Sequence, residues 1–248
     1  MIQVAGLYKS YGATRAVDGV SFDVAVGETF GLLGPNGAGK TTTSHLLVGV
    51  LEPDAGEIRI NGACDPTRPN VRRQVGLAPQ SLAVYPELTA QENLDFFGHV
   101  YGVSGALLRE RVASALELVR LTEHRNRSVS SFSGGMQRRL NLACALIHDP
   151  PVLLLDEPTV GVDPQSRNHI FDNIEALKSK KTTILYTTHY MEEAQRLCDR
   201  VAIMDRGRIL AMDTVAGLLE KHGNPSAQRV APNLETVFLG LTGHGLRD

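Results

Sequence analysis

The stretch Gly34–Thr41, which reads GPNGAGKT, constrains the fold of this 248-residue chain more than its length or composition does. It fits the pattern G-x-x-x-x-G-K-[S/T]. It follows a short apolar stretch, ETFGLLG, and precedes a segment in which Leu46, Leu47 and Val50 have helical spacing. In this context the backbone N–H groups of the loop face phosphates. The sequence therefore predicts an α/β fold with a phosphate loop at the end of a strand.

Each part of this loop has an expected function in holding a nucleotide. The glycines let the backbone curl around the phosphates, and Lys40 supplies a positive charge for the β and γ phosphates. The Thr41 hydroxyl is an expected ligand of Mg²⁺. The predicted nucleotide-binding residues are Gly34, Pro35, Asn36, Gly37, Ala38, Gly39, Lys40, Thr41 and Thr42.

Two carboxylates end the apolar stretch PVLLLDE, whose unbroken hydrophobic run is typical of a parallel strand buried on both faces. Asp156 is expected to support Mg²⁺ through water, because a hard divalent ion keeps most of its waters. Glu157 is then available to orient and polarise an attacking water. Together with the phosphate loop, this pair predicts metal-assisted hydrolysis of a nucleoside triphosphate.

Three more polar residues are candidates for the same site. Gln80 ends VGLAPQ and His189 ends TTILYTTH, and ligand sites of α/β proteins form at such strand ends. Both are candidates for sensing the γ phosphate, and Tyr11 is a candidate for stacking on a purine ring. Taken singly, each of the three also fits an ordinary surface or core position.

A second glycine pair occurs in SFSGGMQRR, where Ser133 is a natural N-cap and Gly134 and Gly135 leave backbone N–H groups open. This helix start lacks a lysine in the phosphate-loop position, so we do not expect it to hold a nucleotide alone. It is suited to cover the γ phosphate bound by another copy of the chain. The alternative is a capped helix whose glycines only allow close packing. Arg138 and Arg139 are expected on a solvated helix face, and contact with the partner or the nucleotide is the alternative.

In this order, the motifs resemble the nucleotide-binding subunits of ABC transporters. The matching segments are Gly34–Thr41, Gln80, Ser133–Gly135, LLLDEP at Leu153–Pro158, GVD at Gly161–Asp163, and His189. The resemblance implies a P-loop NTPase with a mixed, mainly parallel sheet, an N-terminal antiparallel β portion and an inserted helical subdomain. It also implies an ATPase that uses ATP and Mg²⁺, closes as a dimer on ATP, and drives a membrane partner. EPTVGVDPQSR and PNLETVFLGLTG further resemble subunits of drug, antibiotic and polysaccharide exporters.

The resemblance implies a role for each matching residue. Glu157 is the implied general base, and His189 positions the γ phosphate. The implied metal ligands are Thr41, Gln80 and Asp156, with Gln80 also linking the metal to the membrane partner. Acting across the dimer are Ser133, Gly134 and Gly135. At Phe132 the family usually has leucine, an apolar exchange that we expect to leave activity intact.

The expected organisation is an ATP-binding domain over residues 1–220, with a helical subdomain at about 82–150, and a short C-terminal extension over 221–248. The expected partners are a second copy or a closely related ATPase subunit, and an integral membrane permease. The net charge of −2 has both signs spread along the chain, which argues against a nucleic-acid partner. Short apolar runs and the absence of a signal-peptide pattern place the chain in the cytoplasm, at the inner face of the membrane through its partner.

Other classes predict features that the sequence lacks. A soluble ABC-type ATPase acting on ribosomes or DNA usually has two motif sets or a long coiled coil, and a P-loop kinase or GTPase has no SGG helix. A non-hydrolysing ATP switch stays open, although Glu157 argues against it. The three cysteines, Cys64, Cys144 and Cys198, lack disulfide or zinc spacing and are expected to be small buried hydrophobic residues.

Overall fold

The computed structural model describes residues 1–222 and 234–242, which form two units along the chain. The first part of unit 1, Met1–Arg72, contains β1 (Ile2–Tyr11), β2 (Thr14–Val24), β3 (Thr29–Leu33), α1 (Lys40–Leu47), β4 (Ala55–Ile60), β5 (Ala63–Cys64) and α2 (Pro69–Arg72). Unit 2, Arg73–Thr182, contains β6 (Val75–Ala78), α3 (Ala90–Val100), α4 (Gly105–Leu118), α5 (Gly134–Leu146), β7 (Val152–Asp156) and α6 (Pro164–Ser179). Unit 1 resumes with β8 (Thr183–Thr188), α7 (Met191–Leu197), β9 (Arg200–Asp205), β10 (Arg208–Thr214), α8 (Val215–His222) and α9 (Leu234–Thr242).

The N-terminal strands of unit 1 form an antiparallel sheet in the order β2-β1-β4-β5. Along β2 the side chains alternate between buried and exposed, as in a sheet that is covered on one face. The Asn61-Gly62 pair predicts a tight turn, and it connects β4 to β5. This sheet is the antiparallel β portion that the resemblance implied.

The other strands of unit 1 form a mixed, mainly parallel arrangement. β3 pairs in parallel with both β8 and β9, and β10 pairs antiparallel with β9. Every residue of β3 (TFGLL) and β8 (TILYTT) is buried, as in parallel strands that are covered on both faces. The segment RVAIMDRGRILAMD predicts a hairpin around Asp205–Gly207, and β9 and β10 form it, with Arg206 and Gly207 at positive φ in the turn. These features confirm the predicted fold class.

Unit 2 pairs β6 in parallel with the fully buried β7 and packs its helices around a separate hydrophobic core. The T-x-x-E pattern of Thr89 and Glu92 predicts a capping box, and the structure has it at the start of α3. The Thr89 hydroxyl accepts from the Glu92 amide at 3.1 Å, and the Glu92 carboxylate accepts from the Thr89 amide at 2.8 Å. Phe132 is buried in this core, as an apolar replacement for leucine should be. Helical spacing of apolar residues predicts one buried stripe on α4 that includes Leu107 and Leu108. The prediction is wrong for Leu107, which is 49% exposed, whereas its neighbour Leu108 is buried. One residue is about 100° of rotation around a helix, which carries Leu107 out of the stripe.

The Asp163-Pro164 pair predicts an N-cap and first turn for the next helix, and the structure has both at the start of α6. The Asp163 carboxylate accepts from the Ser166 amide at 2.9 Å, and Pro164 occupies the first turn. A side-chain hydrogen bond from Ser166 lowers the pKa of Asp163. This cap fixes where the chain turns after the strand that carries the candidate catalytic carboxylates.

Cys144 and Cys198 are buried as expected, but the expectation is wrong for Cys64. Cys64 is exposed because it lies in the short edge strand β5, and its thiol contacts Glu57 Oε1 at 3.2 Å. Of the exporter-like segment PNLETVFLGLTG, the residues Leu234–Thr242 form α9, and the remainder lies outside the described residues. No helix in the described part of the chain has the length and apolar character needed to cross a bilayer.

Candidate nucleotide-binding site

The phosphate loop runs from the end of β3 to the start of α1, between close-packed backbone segments of β2 and β9. Gly39 has a φ of 101°, and a Cβ added there would lie 2.3 Å from the Ala16 carbonyl oxygen. A Cβ at Gly34 would lie 2.2 Å from the Met204 carbonyl oxygen. Only glycine fits at either position. The shape of the loop is therefore fixed by strands distant from it in sequence.

The N terminus of α1 is built to receive an anion. Gly39 caps the helix without a side-chain hydrogen bond, and the first turn has no acidic residue. The Lys40 side chain is 4% exposed, and its Nζ donates to the carbonyl oxygens of Gly34 at 2.8 Å and Pro35 at 3.1 Å. The ammonium group is thus held over the loop, where it adds to the positive end of the helix dipole.

The β9–β10 turn braces the phosphate loop from the side. The Gly207 amide donates to the Ala38 carbonyl oxygen at 3.0 Å, and the Gly207 carbonyl oxygen accepts from the Asp18 amide at 2.8 Å. Gly207 has a φ of 79°, and a Cβ there would lie 3.0 Å from the Ala16 carbonyl oxygen. The sequence pattern of this turn indicates a hairpin, and nothing in the pattern indicates a part in the nucleotide site.

His189 follows β8 directly beside the start of the phosphate loop. The Thr188 carbonyl oxygen accepts from the Gly34 amide at 3.3 Å. This hydrogen bond holds His189, the next residue after Thr188, near Gly34, the first residue of the phosphate loop. The His189 ring packs against the Tyr190 ring with centroids 4.0 Å apart. Tyr11 ends β1 in the same unit with a 50% exposed side chain, and its stacking on a purine stays a prediction.

Unit 2 carries the candidate acid–base residues, and it brings two of them together. Asp156 ends β7, and Glu157 follows with a φ of 47°, a conformation that side-chain-bearing residues seldom adopt. Both carboxylates are buried, at 1% and 4% exposed. The Gln80 side-chain amide donates to Glu157 Oε2 at 3.2 Å. The loop after β6 therefore orients the carboxylate after β7.

The available oxygen atoms fit Mg²⁺. Among residues 1–222 and 234–242, no group of three or more His, Cys, Asp or Glu side chains could hold a metal ion by itself. In nucleotide sites, however, Mg²⁺ needs only one or two protein oxygen ligands besides water and phosphate. In unit 1 the Thr41 hydroxyl is a hard oxygen ligand of this kind, and in unit 2 the buried Asp156 carboxylate and the Gln80 side-chain oxygen are others.

The second glycine pair opens α5, and its two glycines have different surroundings. The Ser133 hydroxyl accepts from the Met136 amide at 3.2 Å, which confirms the predicted N-cap. A Cβ at Gly135 would lie 2.1 Å from Ser166 Oγ, so this glycine is explained by close packing on α6. A Cβ at Gly134 would meet nothing within 4 Å. Packing therefore accounts for Gly135 and leaves Gly134, which is exposed, without a structural reason.

The expectation that Arg138 and Arg139 lie on a solvated helix face is wrong. Arg139 is 8% exposed and its guanidinium donates to the Val119 carbonyl oxygen. Arg138 is partly buried and donates to the carbonyl oxygens of Gln80 and Val160. Burial lowers the pKa of both guanidinium groups. Both side chains are held inward because the backbone of neighbouring loops offers carbonyl acceptors that the sequence does not reveal.

Sequence reasoning also missed Glu193, a buried carboxylate at 2% exposed near the end of β8. Its Oε2 accepts from the Tyr186 hydroxyl at 2.9 Å and the Thr188 hydroxyl at 2.8 Å. In the sequence it stands beside Glu192 in the first turn of α7, where acidic residues are common for helix-dipole reasons alone. No local pattern separates the buried glutamate from the exposed one.

Comparisons with known proteins agree with this arrangement of motifs. The family model described as "ABC transporter" matches residues 17–160. The linearmycin resistance ATP-binding protein LnrL of Bacillus subtilis is 45% identical over 96% of this chain and 78% of its own length. The Nod factor export ATP-binding protein I of Paraburkholderia xenovorans is 50% identical over 85% of this chain and 70% of its own length.

The fold is shared with a solved ATP-binding cassette, a dimer in a post-hydrolysis state bound to ADP and Pi. The two chains superpose with a TM-score of 0.79 at 25% identity, over 86% of this chain and 98% of that one. The family match agrees with the phosphate loop, the strand-end carboxylates and the capped SGG helix. This chain therefore belongs to the ABC transporter family, in which it is an ATP-binding cassette and an ATPase.

Proposed function

We propose that this chain is the ATP-hydrolysing subunit of an exporter, that two copies close on ATP, and that a separate integral membrane subunit carries the cargo. The observation that carries the hydrolytic part is the buried Glu157 carboxylate, held by the Gln80 amide directly after β7. The exporting direction is supported by relatives whose names refer to export or to resistance. We also propose the bounds 1–220 for the ATP-binding domain and 221–248 for a C-terminal extension.

Binding of ATP is assigned to the phosphate loop. The N–H groups at the start of α1 and the Lys40 ammonium group hold the β and γ phosphates, with Thr41 and Asp156 as the side chains that would hold Mg²⁺. When bound, Mg²⁺ supplies positive charge against the phosphate oxygens. Tyr11 is the proposed stacking partner of the adenine ring.

Hydrolysis is assigned to Glu157. Its carboxylate orients the attacking water and accepts a proton from it while water attacks the γ phosphate. The positive φ of Glu157 is a strained conformation of the kind that is retained at functional sites. We propose that Gln80 keeps the carboxylate oriented and senses the metal, and that His189 contacts the γ phosphate.

The N terminus of α5 is the proposed contribution of one copy to the site of the other. Ser133 and Gly134 are exposed at this helix start, whose N–H groups suit a phosphate. Gly134 has open space above its Cα, so a phosphate can approach the backbone closely. Without a lysine in the phosphate-loop position, this helix start needs a nucleotide held by another chain.

The membrane subunit is proposed to contact an exposed aromatic patch at the start of the helical region of unit 2. The patch is formed by Tyr85 and Phe96, with the partly buried Phe97 beside them and Val100 further along the same helix. The Tyr85 and Phe96 rings pack edge to face with centroids 5.0 Å apart, and their residues are 45% and 42% exposed. Val100 is 60% exposed. Clustered exposed aromatic residues are typical of protein interfaces. The patch follows Gln80, the residue implied to link the metal to the membrane subunit, by a few positions in the sequence. Bound to such a subunit, the chain would lie at the cytoplasmic face of a membrane.

The variant Glu157→Gln tests the proposal. We expect ATP binding to persist, turnover to fall by about 10²-fold or more because the general base is lost, and a dimer to accumulate with ATP. Turnover by a coupled assay, nucleotide affinity by calorimetry and size by light scattering measure the three effects. Glu192→Gln, which removes the same charge from an exposed position, is the control. A Glu157→Gln protein that hydrolyses ATP at the wild-type rate would refute the assignment.

A soluble ABC-type ATPase is the second candidate, since its nucleotide chemistry is the same. The aromatic patch favours the transport subunit, because a soluble enzyme of this kind has no need of a membrane partner. Copurification of a membrane subunit from the native host separates the two.

A further inference from the structure

The Glu193 carboxylate is buried among hydroxyl groups at the end of β8. It is 2% exposed, and its Oε2 accepts hydrogen bonds from both Tyr186 and Thr188, at 2.9 and 2.8 Å. Burying a carboxylate is unfavourable unless hydrogen bonds replace its water. An apolar side chain of similar size would fill this position at lower cost if packing were its only function.

The hydrogen bonds continue from Glu193 to both neighbours of His189. The Thr188 hydroxyl, which donates to Glu193, accepts from the Tyr190 amide at 2.9 Å. The Thr188 carbonyl oxygen accepts from the Gly34 amide at the start of the phosphate loop. The residues before and after His189 are therefore both fixed by a chain of hydrogen bonds that ends at Glu193.

We propose that Glu193 is a positioning residue for ATP hydrolysis, which holds His189 against the phosphate loop through Thr188 and Tyr190. This inference rests on the role proposed for His189. The physical reason is geometric, because a histidine that contacts a phosphate must keep its ring within tenths of an ångström of one place. Glu193 supplies a charged acceptor that orients the Thr188 hydroxyl, and the oriented hydroxyl fixes the Tyr190 amide.

Replacing Glu193→Met removes the acceptor and keeps the approximate volume. We expect kcat to fall by about 10-fold or more, since misplacing a contact residue has this effect, while KM for ATP changes by less than about 2-fold. Glu193→Gln can place its amide oxygen where Oε2 lies and should recover most of the loss. Glu192→Met, the same exchange at the exposed neighbour, is the control and should leave kcat unchanged.

A second pair of variants breaks the same chain elsewhere, in case Glu193→Met does not fold. Thr188→Val removes the hydroxyl and should reproduce the loss of kcat, whereas Thr188→Ser keeps the hydroxyl and should not. In both series the full-length chain is used, and thermal unfolding verifies folding. Wild-type kcat in a folded Glu193→Met or Thr188→Val protein would overturn the proposal.

Two further measurements separate this inference from the proposed function. In a His189→Ala background, Glu193→Met should add less than about 2-fold, because residues that act through one another are not additive; an equal loss in both backgrounds would overturn the link to His189. Wild-type turnover of His189→Ala would instead refute the role of His189. Hydrogen exchange of the Tyr190 amide then still tests Glu193: faster exchange in Glu193→Met than in Glu192→Met supports the positioning, and equal exchange overturns it.

Discussion

Single buried polar side chains decide the geometry of this cassette. Glu157, Glu193 and Arg139 are each less than a tenth exposed, and each has a hydrogen-bond partner distant in the sequence or on the adjoining strand. Such groups remain charged inside a protein only where partners replace water. Each of these residues therefore marks a position where hydrogen bonds hold a loop in place. For Glu157 the partner is the predicted site residue Gln80, and for Glu193 the hydrogen bonds lead to the neighbours of His189.

A partly buried residue, His148, gives the chain a pH-dependent stability. Its ring stacks on Tyr101 with centroids 3.6 Å apart and planes 5° apart, and burial lowers the pKa of His148 from 6.5 to about 4. Below pH 6.5 the unfolded chain binds a proton there that the folded chain does not bind until about pH 4. Folding stability from this group is therefore complete above pH 6.5 and is lost progressively toward about pH 4.

We expect His148→Phe, which keeps a stacked ring without a titrating group, to lose less stability on acidification than the wild type does. Urea unfolding at a series of pH values between 7 and 4.5, within and just above this window, measures the free energy of unfolding. The difference between the two proteins isolates His148 from the carboxylates that both share. Parallel pH profiles would show that His148 does not carry this dependence.

At the scale of elements, functional groups lie where a strand or helix begins or ends. In unit 1 the parallel strands β3 and β8 place their ends at one edge, and each leads into a predicted site residue. In unit 2, β7 leads into Glu157. Helix starts provide unpaired N–H groups, and α1 and α5 each open with a glycine-rich turn. α3 has a different use, because its capped start is followed by the exposed aromatic side chain of Phe96, whose neighbour Phe97 packs against the core.

The exposed aromatic patch of unit 2 can be tested by a double replacement, Tyr85→Ser with Phe96→Ser. We expect the membrane subunit to be lost from the purified complex, since aromatic residues dominate such interfaces. ATP affinity should be unchanged, and stability should change by no more than about 1 kcal/mol because both side chains are partly exposed. Val26→Ser, at a 73% exposed apolar residue of unit 1, is the control. Undiminished copurification of the membrane subunit with the double variant would contradict the proposed contact.

At the scale of the whole molecule, the proposed reaction needs two chains. Lys40 supplies the positive charge of the phosphate loop in its own chain. Ser133 and Gly134 lie exposed to solvent at a second helix start, which is proposed to contact a phosphate held by another chain. A symmetric dimer in which each copy gives its α5 start to the other would complete two sites at once. The solved cassette bound to ADP and Pi is a dimer, which supports this arrangement.

Mixing two inactive variants tests the shared site. Lys40→Ala should abolish nucleotide binding, and Ser133→Arg should leave binding largely unchanged and abolish hydrolysis. In an equal mixture, half of the randomly formed dimers contain one of each variant, and one of their two sites has both residues intact. ATPase activity should therefore return to about one quarter of the wild-type value. No recovery, or loss of ATP binding in Ser133→Arg alone, would show that Ser133 acts within its own chain.

Much of the fold followed from the sequence because its signals are local. The Thr89–Glu92 capping box, the Asp163 cap and the fully buried β7 each depend on residues within one turn or one strand. Leu107 shows the limit of such reasoning, since an apolar residue next to a buried stripe can still face solvent. The exposed Cys64 shows another limit, because residue type alone does not reveal an edge strand.

The sequence by itself determined the phosphate loop, the strand-end carboxylates and the SGG helix start, because each is a short pattern whose chemistry lies in its own backbone and side chains. Only the tertiary structure decided that Gly39 must be glycine against Ala16, that Arg139 points inward, and that Glu193 supports the residues around His189. These facts depend on which backbone oxygen or hydroxyl group lies a few ångströms away. Such neighbours come from other strands and helices, so hydrogen-bond partners and close contacts become known only when the chain is folded.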